Sequence, residues 1–297
     1  TFMIAFFQVS MYWSNRKKRF RHTATGNLGQ SVTASGVKVA TFRFIPAGGG
    51  LITGAIAGQL AGALYFLSRW YRHHRKALKD LSWDAMKKAG KEYYRFPGFN
   101  LPNNLINNFS NSLPVFLLSS FFGASEVGLY SLGFTMIFRP MNLVTNSMEQ
   151  VFAQRVIQKF NAGKAVWEDV RLLLTRSVQI SVVPFLLVGV FGPAIFRVVF
   201  GAEWEEAGRY MQLLIPWFFT AFLANQLTFI PDMLSLQKKA MWINIIRLFL
   251  RLAGMAVGIW QNSIFLTLGL FSMASLVMVL VTLAWYVRVL QQHERQL

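Results

Sequence analysis

Hydrophobic residues in this chain occur in runs of roughly twenty, the length that an α-helix needs to cross a bilayer. Short stretches that are basic, or rich in glycine and proline, separate these runs. A shorter apolar run at residues 1–13 is interpreted as the end of a helix whose beginning is missing, together with an N-terminal part of the protein. Complete spans are predicted near residues 27–44, 50–70, 99–122, 127–151, 172–191, 211–234, 241–260 and 264–289.

The composition indicates the same class of protein. Of the 297 residues, 54% are apolar and only 14% are charged, whereas a soluble domain carries about 25% charged residues. The chain contains no cysteine, which excludes a disulfide, a thiolate metal site and a cysteine nucleophile. We therefore predict an all-α protein, namely a polytopic helical membrane protein.

Lysine and arginine are distributed unevenly between the predicted loops. Residues 16–21 contain five, residues 69–95 contain nine and residues 155–176 contain five, whereas residues 46–49 and 123–126 contain none. Because cytoplasmic loops carry the excess of lysine and arginine, every second loop and the C-terminus are assigned to the cytoplasm. Topology then accounts for most of the formal net charge of +18, and binding to nucleic acid is not expected.

The longest polar stretch of the chain covers residues 71–98. Apolar positions recur there at helical spacing with lysines around them, and Trp83 is of a type that prefers membrane interfaces. We interpret the stretch as an amphipathic helix on the anionic lipids of the cytoplasmic leaflet, which also acts as a linker.

Glycines occupy every fourth position of one predicted span, at Gly50, Gly54, Gly58 and Gly62. Residues four apart lie on one face of a helix, so these glycines form a ridge of small residues. Such a ridge allows a second membrane helix to approach closely. The predicted role of the ridge is therefore packing.

Two arginines interrupt the apolar run at residues 241–260. Arg247 and Arg251 share one helical face, and Asn244 lies one turn before them. A cation near the bilayer centre costs about 2.5–3.5 kcal/mol on the insertion scale. This face is therefore expected to line protein or water rather than lipid.

Cations outnumber acids within the predicted spans. Lys38, Arg43 and Arg139 add to the pair, whereas the acids are Glu149 and Asp232, both near predicted cytoplasmic ends. A positive interior suits an anionic passenger such as a phosphate or pyrophosphate, because arginine keeps its charge and binds two oxygens at once. Arg43 is expected to reach the outer interface instead. In the alternative interpretation, the cations pair with the two acids or with backbone carbonyls. The predicted substrate-binding residues are Arg247, Arg251, Lys38, Arg139 and Asn244.

The sequence contains no recognisable catalytic, cofactor-binding or metal-binding set. Its four histidines lie in predicted cytoplasmic loops or the tail, without further metal ligands at a suitable spacing. A glycine-rich phosphate loop followed by lysine and serine or threonine is absent. We therefore predict that the protein is not an enzyme and needs no cofactor.

Two stretches resemble a known family. The run RFPGFNLPNNLINNFSNSLPVFLLSSFFGASEVGLYSLGFTMIFRPMNLVTNSMEQVFAQR, residues 95–155, resembles the start of the second half of bacterial polysaccharide flippases. The resemblance lies in Phe-Pro at 96–97, Phe-Phe-Gly at 121–123 and Glu-Val-Gly-Leu-Tyr at 126–130. The run VVFGAEWEEAGRYMQLLIPW, residues 198–217, is similar to a second element of the same family.

This family is the polysaccharide-transporter branch of the multidrug/oligosaccharidyl-lipid/polysaccharide exporters. The resemblance implies two helical lobes and alternating access around a central cavity between them in the bacterial cytoplasmic (inner) membrane. It implies a lipid-linked oligosaccharide as substrate, carried on undecaprenyl pyrophosphate. It also implies a polysaccharide polymerase and glycosyltransferases as pathway partners. Residues 1–70 are then the last helices of the first lobe, residues 71–98 the cytoplasmic linker and residues 99–297 the complete second lobe.

Two alternative functions stay open. A multidrug or metabolite antiporter of the same superfamily generally carries carboxylates deep in its cavity, and the excess of cations argues against it. A membrane glycosyltransferase or polymerase is expected to carry a sizeable periplasmic loop or paired acids. The outer loops of this chain are short, and its membrane spans contain no such pair.

Overall fold

Seven of the eight predicted complete spans each overlap one long α-helix, and the described part of the chain contains no strand. The prediction of an all-α, polytopic membrane protein is therefore confirmed. The structure is a computed structural model, and it describes residues 7, 9, 20–42, 49–79, 82–93 and 96–295. Arg43 and most of the short run at residues 1–13 lie outside the described residues. The helices are α1 (Phe20–Phe42), α2 (Gly49–Lys79), α3 (Trp83–Tyr93), α4 (Leu101–Phe121), α5 (Ala124–Asn161), α6 (Trp167–Phe200), α7 (Glu205–Asn225), α8 (Ile230–Met233), α9 (Gln237–Trp260) and α10 (Ile264–Glu294).

Hydropathy differs between these helices. Within the described residues, four segments are long and apolar enough to cross a membrane by length and composition. They are Trp167–Phe200, Ala202–Met233, Gln237–Trp260 and Ile264–Glu294. The 21 residues of α4 are sufficient for a span, but asparagines at five of its positions lower its hydropathy.

The predicted span at residues 211–234 is divided in the structure. α7 ends at Asn225, and the short α8 begins at Ile230. Pro231 lies in the first turn of α8, where a proline is tolerated because its missing N–H would have no partner within the helix. Gln226 is buried in the break and accepts a hydrogen bond from Ser177 at 2.6 Å. The hydrophobic pattern hides this break because buried Leu227 and Phe229 continue the apolar run.

The chain divides into two compact units, residues 1–91 and residues 92–297. In the first unit, α1 packs against α2. A Cβ built on Gly54 would lie 2.8 Å from the carbonyl oxygen of Ala34, and one on Gly58 would lie 2.8 Å from that of Gln30. Because real Cβ atoms do not approach so closely, the contact requires glycine, as predicted for the ridge.

The predicted linker contains the end of α2 and the whole of α3. On α3, Trp83, Met86, Lys87 and Lys88 are exposed. The Lys87 ammonium lies 5.8 Å from the centroid of the Trp83 ring. Exposed apolar and basic side chains on one short helix are typical of binding to an anionic membrane surface, which stays a prediction here.

α7 is the central helix of the second unit. It packs on α5, α6 and α10, while α9 packs on α4 and α10. Four large side chains of α7, those of Tyr210, Met211, Leu214 and Phe218, are at most 1% exposed. The apolar core of the unit is therefore centred on α7, and the junction of α4, α9 and α10 lies beside it.

The two stretches that carry the family resemblance contact each other in this core. The Tyr210 hydroxyl donates a hydrogen bond to the Glu126 carboxylate. A Cβ on Gly133 would lie 2.8 Å from Cγ of Met211. These motif residues hold α5 against α7, so their contribution in the structure is to packing.

Candidate functional site

Polar side chains of α4, α9 and α10 form hydrogen bonds where the three helices meet, and we call this group of residues the polar seam. Polar residues recur at helical spacing along α4 and α9, so each helix turns one polar face toward its neighbours. The members of the seam are Asn103, Ser110 and Asn111 on α4, Asn244, Arg247 and Arg251 on α9, and Ser275 and Thr282 on α10.

Arg251 lies at the centre of the seam and is only 1% exposed. Its Nε donates to Ser275 Oγ at 2.8 Å. Its Nη1 donates to Ser110 Oγ at 2.8 Å and to Asn111 Oδ1 at 2.9 Å. Because these acceptors belong to α4 and α10, the guanidinium connects α9 to both helices.

Aromatic rings enclose the rest of the Arg251 guanidinium. Its central carbon lies 5.0 Å from the centroid of the Trp217 ring and 4.8 Å from that of Phe271. A cation is attracted to the negative face of an aromatic ring, and the attraction grows when water is excluded. Neutral oxygens and ring faces therefore hold this charge.

Arg247 is one turn nearer the start of α9 and is less completely bound. Its Nη2 donates to Thr282 Oγ1 at 3.0 Å. Its Nε is enclosed but has no hydrogen-bond partner among the described residues. Since a guanidinium offers five N–H donors, Arg247 retains donors for a further acceptor.

Asparagine amides extend the seam toward the start of α4. Asn244 Nδ2 donates to Asn103 Oδ1 at 2.7 Å. Asn100, just before α4, donates to Asp232 Oδ1 at 3.0 Å. Three of the predicted binding residues, Asn244, Arg247 and Arg251, thus lie on one face of α9, and each donates a hydrogen bond to a side chain of α4 or α10.

Among the residues that the structure describes, no carboxylate lies within ion-pair distance of the arginines of the seam. Neither Arg247 nor Arg251 forms an ion pair with another described residue. Glu149 accepts a hydrogen bond from Thr228 at 2.5 Å, and Asp232 accepts one from Asn100. Glu149 and Asp232 therefore do not pair with Arg247 or Arg251 in the described structure, and pairing of the intramembrane cations with backbone carbonyls stays a prediction.

Lys38 and Arg139 are not members of the seam. Lys38 belongs to the first unit, where its side chain lies against Gly54 of α2. Arg139 is exposed on α5, directly before Pro140, and α5 packs mainly on α7 and α4. Substrate binding by Lys38 and Arg139 stays a prediction.

Sequence reasoning missed the polar residues of α4. Ser110 and Asn111 bind Arg251, while Asn104 and Asn108 are exposed beside the seam. The signal that reveals them is the repetition in NNLINNFSN, which places amides at helical spacing inside a predicted span. A search for charged residues alone passes over it.

The chemistry of the seam is that of a binding surface. It offers N–H and O–H donors and two positive charges, which suit an oxygen-rich anion. Within the described ranges, no three His, Asp or Glu side chains are grouped as metal ligands. The seam itself contains no nucleophile paired with a general base.

Solved structures of MATE proteins share this fold. The crystal structure of a MATE mutant aligns with a TM-score of 0.61 over 99% of this chain and 68% of that chain, at 14% identity. A MATE structure in the straight conformation aligns with a TM-score of 0.52 over 90% of this chain and 62% of that chain, at 12% identity. The protein is therefore a multi-pass helical membrane protein with a MATE-like fold.

The chain belongs to the polysaccharide biosynthesis protein family, whose model matches residues 1–209. This match confirms the family resemblance of its motifs. Teichuronic acid biosynthesis protein TuaB of Bacillus subtilis (strain 168) is 24% identical over 155 residues, covering 52% of this chain and 30% of that protein. Amylovoran biosynthesis protein AmsL of Erwinia amylovora is 25% identical over 118 residues, covering 39% of this chain and 30% of that protein. The matched stretches therefore span 30% of the length of either relative.

Proposed function

We propose that the protein flips or exports an undecaprenyl-pyrophosphate-linked oligosaccharide across the bacterial cytoplasmic membrane for polysaccharide biosynthesis. The family supports a role in making polysaccharide, and the fold supports movement of a substrate across the membrane. A transporter of this kind alternates the access of one substrate site between the two sides of the membrane. Glycosyltransferases that build the substrate and a polymerase that consumes it are the proposed pathway partners.

The observation that carries this proposal is the uncompensated charge of the polar seam. Arg247 and Arg251 lie in a membrane helix, and their described partners are neutral. A pyrophosphate supplies the missing negative charge, and its oxygens match the donors that Arg247 retains. Arg251 is enclosed, so it acts on the substrate through its charge and through Asn111.

The remaining predicted contacts belong to the same proposal. Asn244 fixes the start of the seam, while Lys38 and Arg139 add positive charge for the pyrophosphate elsewhere along the transport path. Exchange of cations or protons needs carboxylates at depth. Glu149 and Asp232 are instead near the predicted cytoplasmic ends of their spans and are outnumbered by cations, which argues against an antiporter.

The proposed orientation has the C-terminus and the basic loops in the cytoplasm. The alternation of basic and uncharged loops supports it. Cysteines introduced one at a time at Lys88 and Ser263 are expected to react with a membrane-impermeant thiol reagent from opposite sides. Reaction from the same side would contradict the orientation.

The central test is Arg247→Glu, introduced into the chromosomal gene. A negative charge at this position repels the pyrophosphate, so surface polysaccharide is expected to fall at least about tenfold, equivalent to about 1.4 kcal/mol. Arg247→Lys keeps the charge but loses the planar fork, and an intermediate amount of polymer is expected. Polymer is quantified on the cell surface, and the protein is quantified in isolated membranes.

Arg288→Glu is the matched control for this test. Arg288 is an exposed cation near the end of α10, so reversing its charge is expected to leave the amount of polymer unchanged. Normal polymer from cells with Arg247→Glu, at normal membrane abundance, would contradict the proposed function of this site.

A further inference from the structure

The outward side of α4 is divided into two strips of different chemistry. One strip contains the exposed apolar residues Leu101, Leu105 and Phe109. The other contains Asn104, Asn108 and Asn111, which are also exposed. In each strip the spacing of three or four residues keeps the side chains on one face. We call the second set the amide strip.

Within the described part of the chain, most polar atoms of the amide strip have no hydrogen-bond partner. Neither Asn104 nor Asn108 makes a side-chain hydrogen bond to another described residue, and Asn111 receives its bond from Arg251. A polar group in hydrocarbon without a hydrogen bond is unfavourable. A molecule that can donate and accept hydrogen bonds is therefore expected to contact the amide strip within the membrane.

The contact with Arg251 determines what Asn111 offers to that occupant. Its Oδ1 accepts the guanidinium N–H at 2.9 Å, which leaves the Nδ2 donors for an outside acceptor. The amides of Asn104 and Asn108 offer both donors and acceptors. Together the three side chains present a mixed array along about 10 Å of the helix.

We propose that the amide strip binds the hydroxyl groups of the glycan while Arg247 binds the pyrophosphate. This inference rests on the proposed function. A sugar hydroxyl both donates and accepts hydrogen bonds, so it matches a side-chain amide more closely than a cation does. The strip adjoins the seam through the Asn111–Arg251 contact, and one substrate reaches both regions. The amides thereby distinguish a glycan-bearing lipid from the bare lipid pyrophosphate.

The experiment measures binding by the complete natural protein, purified in lipid nanodiscs. The probes are undecaprenyl pyrophosphate carrying the host's oligosaccharide and undecaprenyl pyrophosphate alone. The native protein is expected to bind the first probe more tightly. Combined Asn104→Leu and Asn108→Leu is expected to weaken binding of the glycan-bearing probe about tenfold or more, since two hydrogen-bonding groups are lost. Binding of the bare probe is expected to change less than about threefold, since both arginines and Asn111, which accepts a hydrogen bond from Arg251, remain.

The neighbouring apolar strip provides the matched control. Combined Leu105→Ala and Phe109→Ala changes the same number of positions on the same helix. This variant is expected to keep the native preference for the glycan-bearing probe. A loss of preference as large as that of the leucine variant would overturn the assignment to the amides.

The remaining outcomes separate this inference from the proposed function. If the native protein binds neither probe, the proposed function fails and this inference fails with it. If the native protein binds both probes equally, or the leucine variant keeps the preference, the amide strip does not bind glycan although the proposed function stands. If the leucine variant has a lowered melting temperature and loses both probes equally, the strip is a helix-packing surface and the inference is overturned.

Discussion

The outward faces of α4 and α6 belong to the same unit, yet they differ in chemistry. On α6, the exposed side chains include those of Ile180, Val183 and Leu187, and the face contains only apolar residues from residue 180 to residue 191. On α4, amides alternate with apolar residues over residues 104–111. Equal exposure therefore does not mean equal surroundings. Lipid tails suit the apolar face of α6, but they would leave the amides of α4 without hydrogen-bond partners.

The free-energy cost of an amide without hydrogen bonds shows that the face of α4 cannot lie against lipid tails as the face of α6 can. An amide that loses water without gaining a hydrogen bond costs about 1–3 kcal/mol in mutational data. Three such amides would cost about 3–9 kcal/mol, which is comparable to a whole folding stability of about 5–15 kcal/mol. A membrane protein can carry the amide strip only where water, substrate or other protein groups meet it.

The inward faces of the same helices differ as well. On α6, buried Ser181 donates to the carbonyl oxygen of Ser177 within its own helix, at 2.7 Å. In the seam, Arg251 instead depends on acceptors from two other helices. The Ser181 hydroxyl is thus satisfied wherever the helix packs, whereas the Arg251 guanidinium requires one particular arrangement of three helices.

The largest expected effect comes from moving amides onto α6. Combined Ile180→Asn, Val183→Asn and Leu187→Asn places three amides against lipid, at a cost of about 3–9 kcal/mol. Little folded protein is expected in the membrane. The measurement is the yield of monodisperse protein in size-exclusion chromatography of detergent extracts.

The matched control replaces the same three α6 residues by alanine. Alanine keeps the face apolar and the helix intact, so most of the yield is expected to remain. Full yield from the asparagine variant would show that this face does not lie against lipid. The proposed difference in surroundings between the outward faces of α4 and α6 would then be wrong.

Arg251→Met, a substitution in the polar seam, is expected to have a smaller effect on stability. The change leaves Ser110 Oγ without its donor, which costs about 1–3 kcal/mol for a buried group, but it also removes the desolvation penalty of a buried charge, which has the opposite sign. The free energy of unfolding is expected to change by less than about 1 kcal/mol. Surface polysaccharide is nevertheless expected to fall about tenfold, because the seam loses half of its charge.

Met255→Leu is the control for this variant. Met255 lies one turn after Arg251 on the same face of α9 and is fully buried, and a volume-conserving exchange is expected to preserve both stability and polymer. A thermal-shift assay and polymer quantification report the two properties separately. Strong destabilisation of the Arg251→Met protein would show that the role of Arg251 is mainly structural.

The helices could be predicted from the sequence because their signal is local. Twenty apolar residues in a row indicate a span whatever surrounds them, and α9 and α10 begin and end close to the predicted limits. The break after α7 could not be predicted in this way. It depends on the Ser177–Gln226 contact between helices and on a turn whose residues are themselves apolar.

The candidate site was only partly predictable. Spacing alone places Asn244, Arg247 and Arg251 on one face of α9, and the structure brings all three into the seam. Spacing does not reveal which helices that face meets. The partners Asn111 and Ser275 are uncharged residues on other helices, and their contact with Arg251 follows from the packing of three helices.

By itself, the sequence determined the membrane helices, the excess of intramembrane cations and the family. These properties follow from hydrophobic transfer and charge, which act residue by residue along the chain. Only the tertiary structure decided that Arg251 is enclosed by neutral partners while Arg247 retains free donors, and that Asn104, Asn108 and Asn111 face outward. The physical reason is that hydrogen bonds depend on distance and direction between side chains far apart in sequence, and packing alone brings those side chains together.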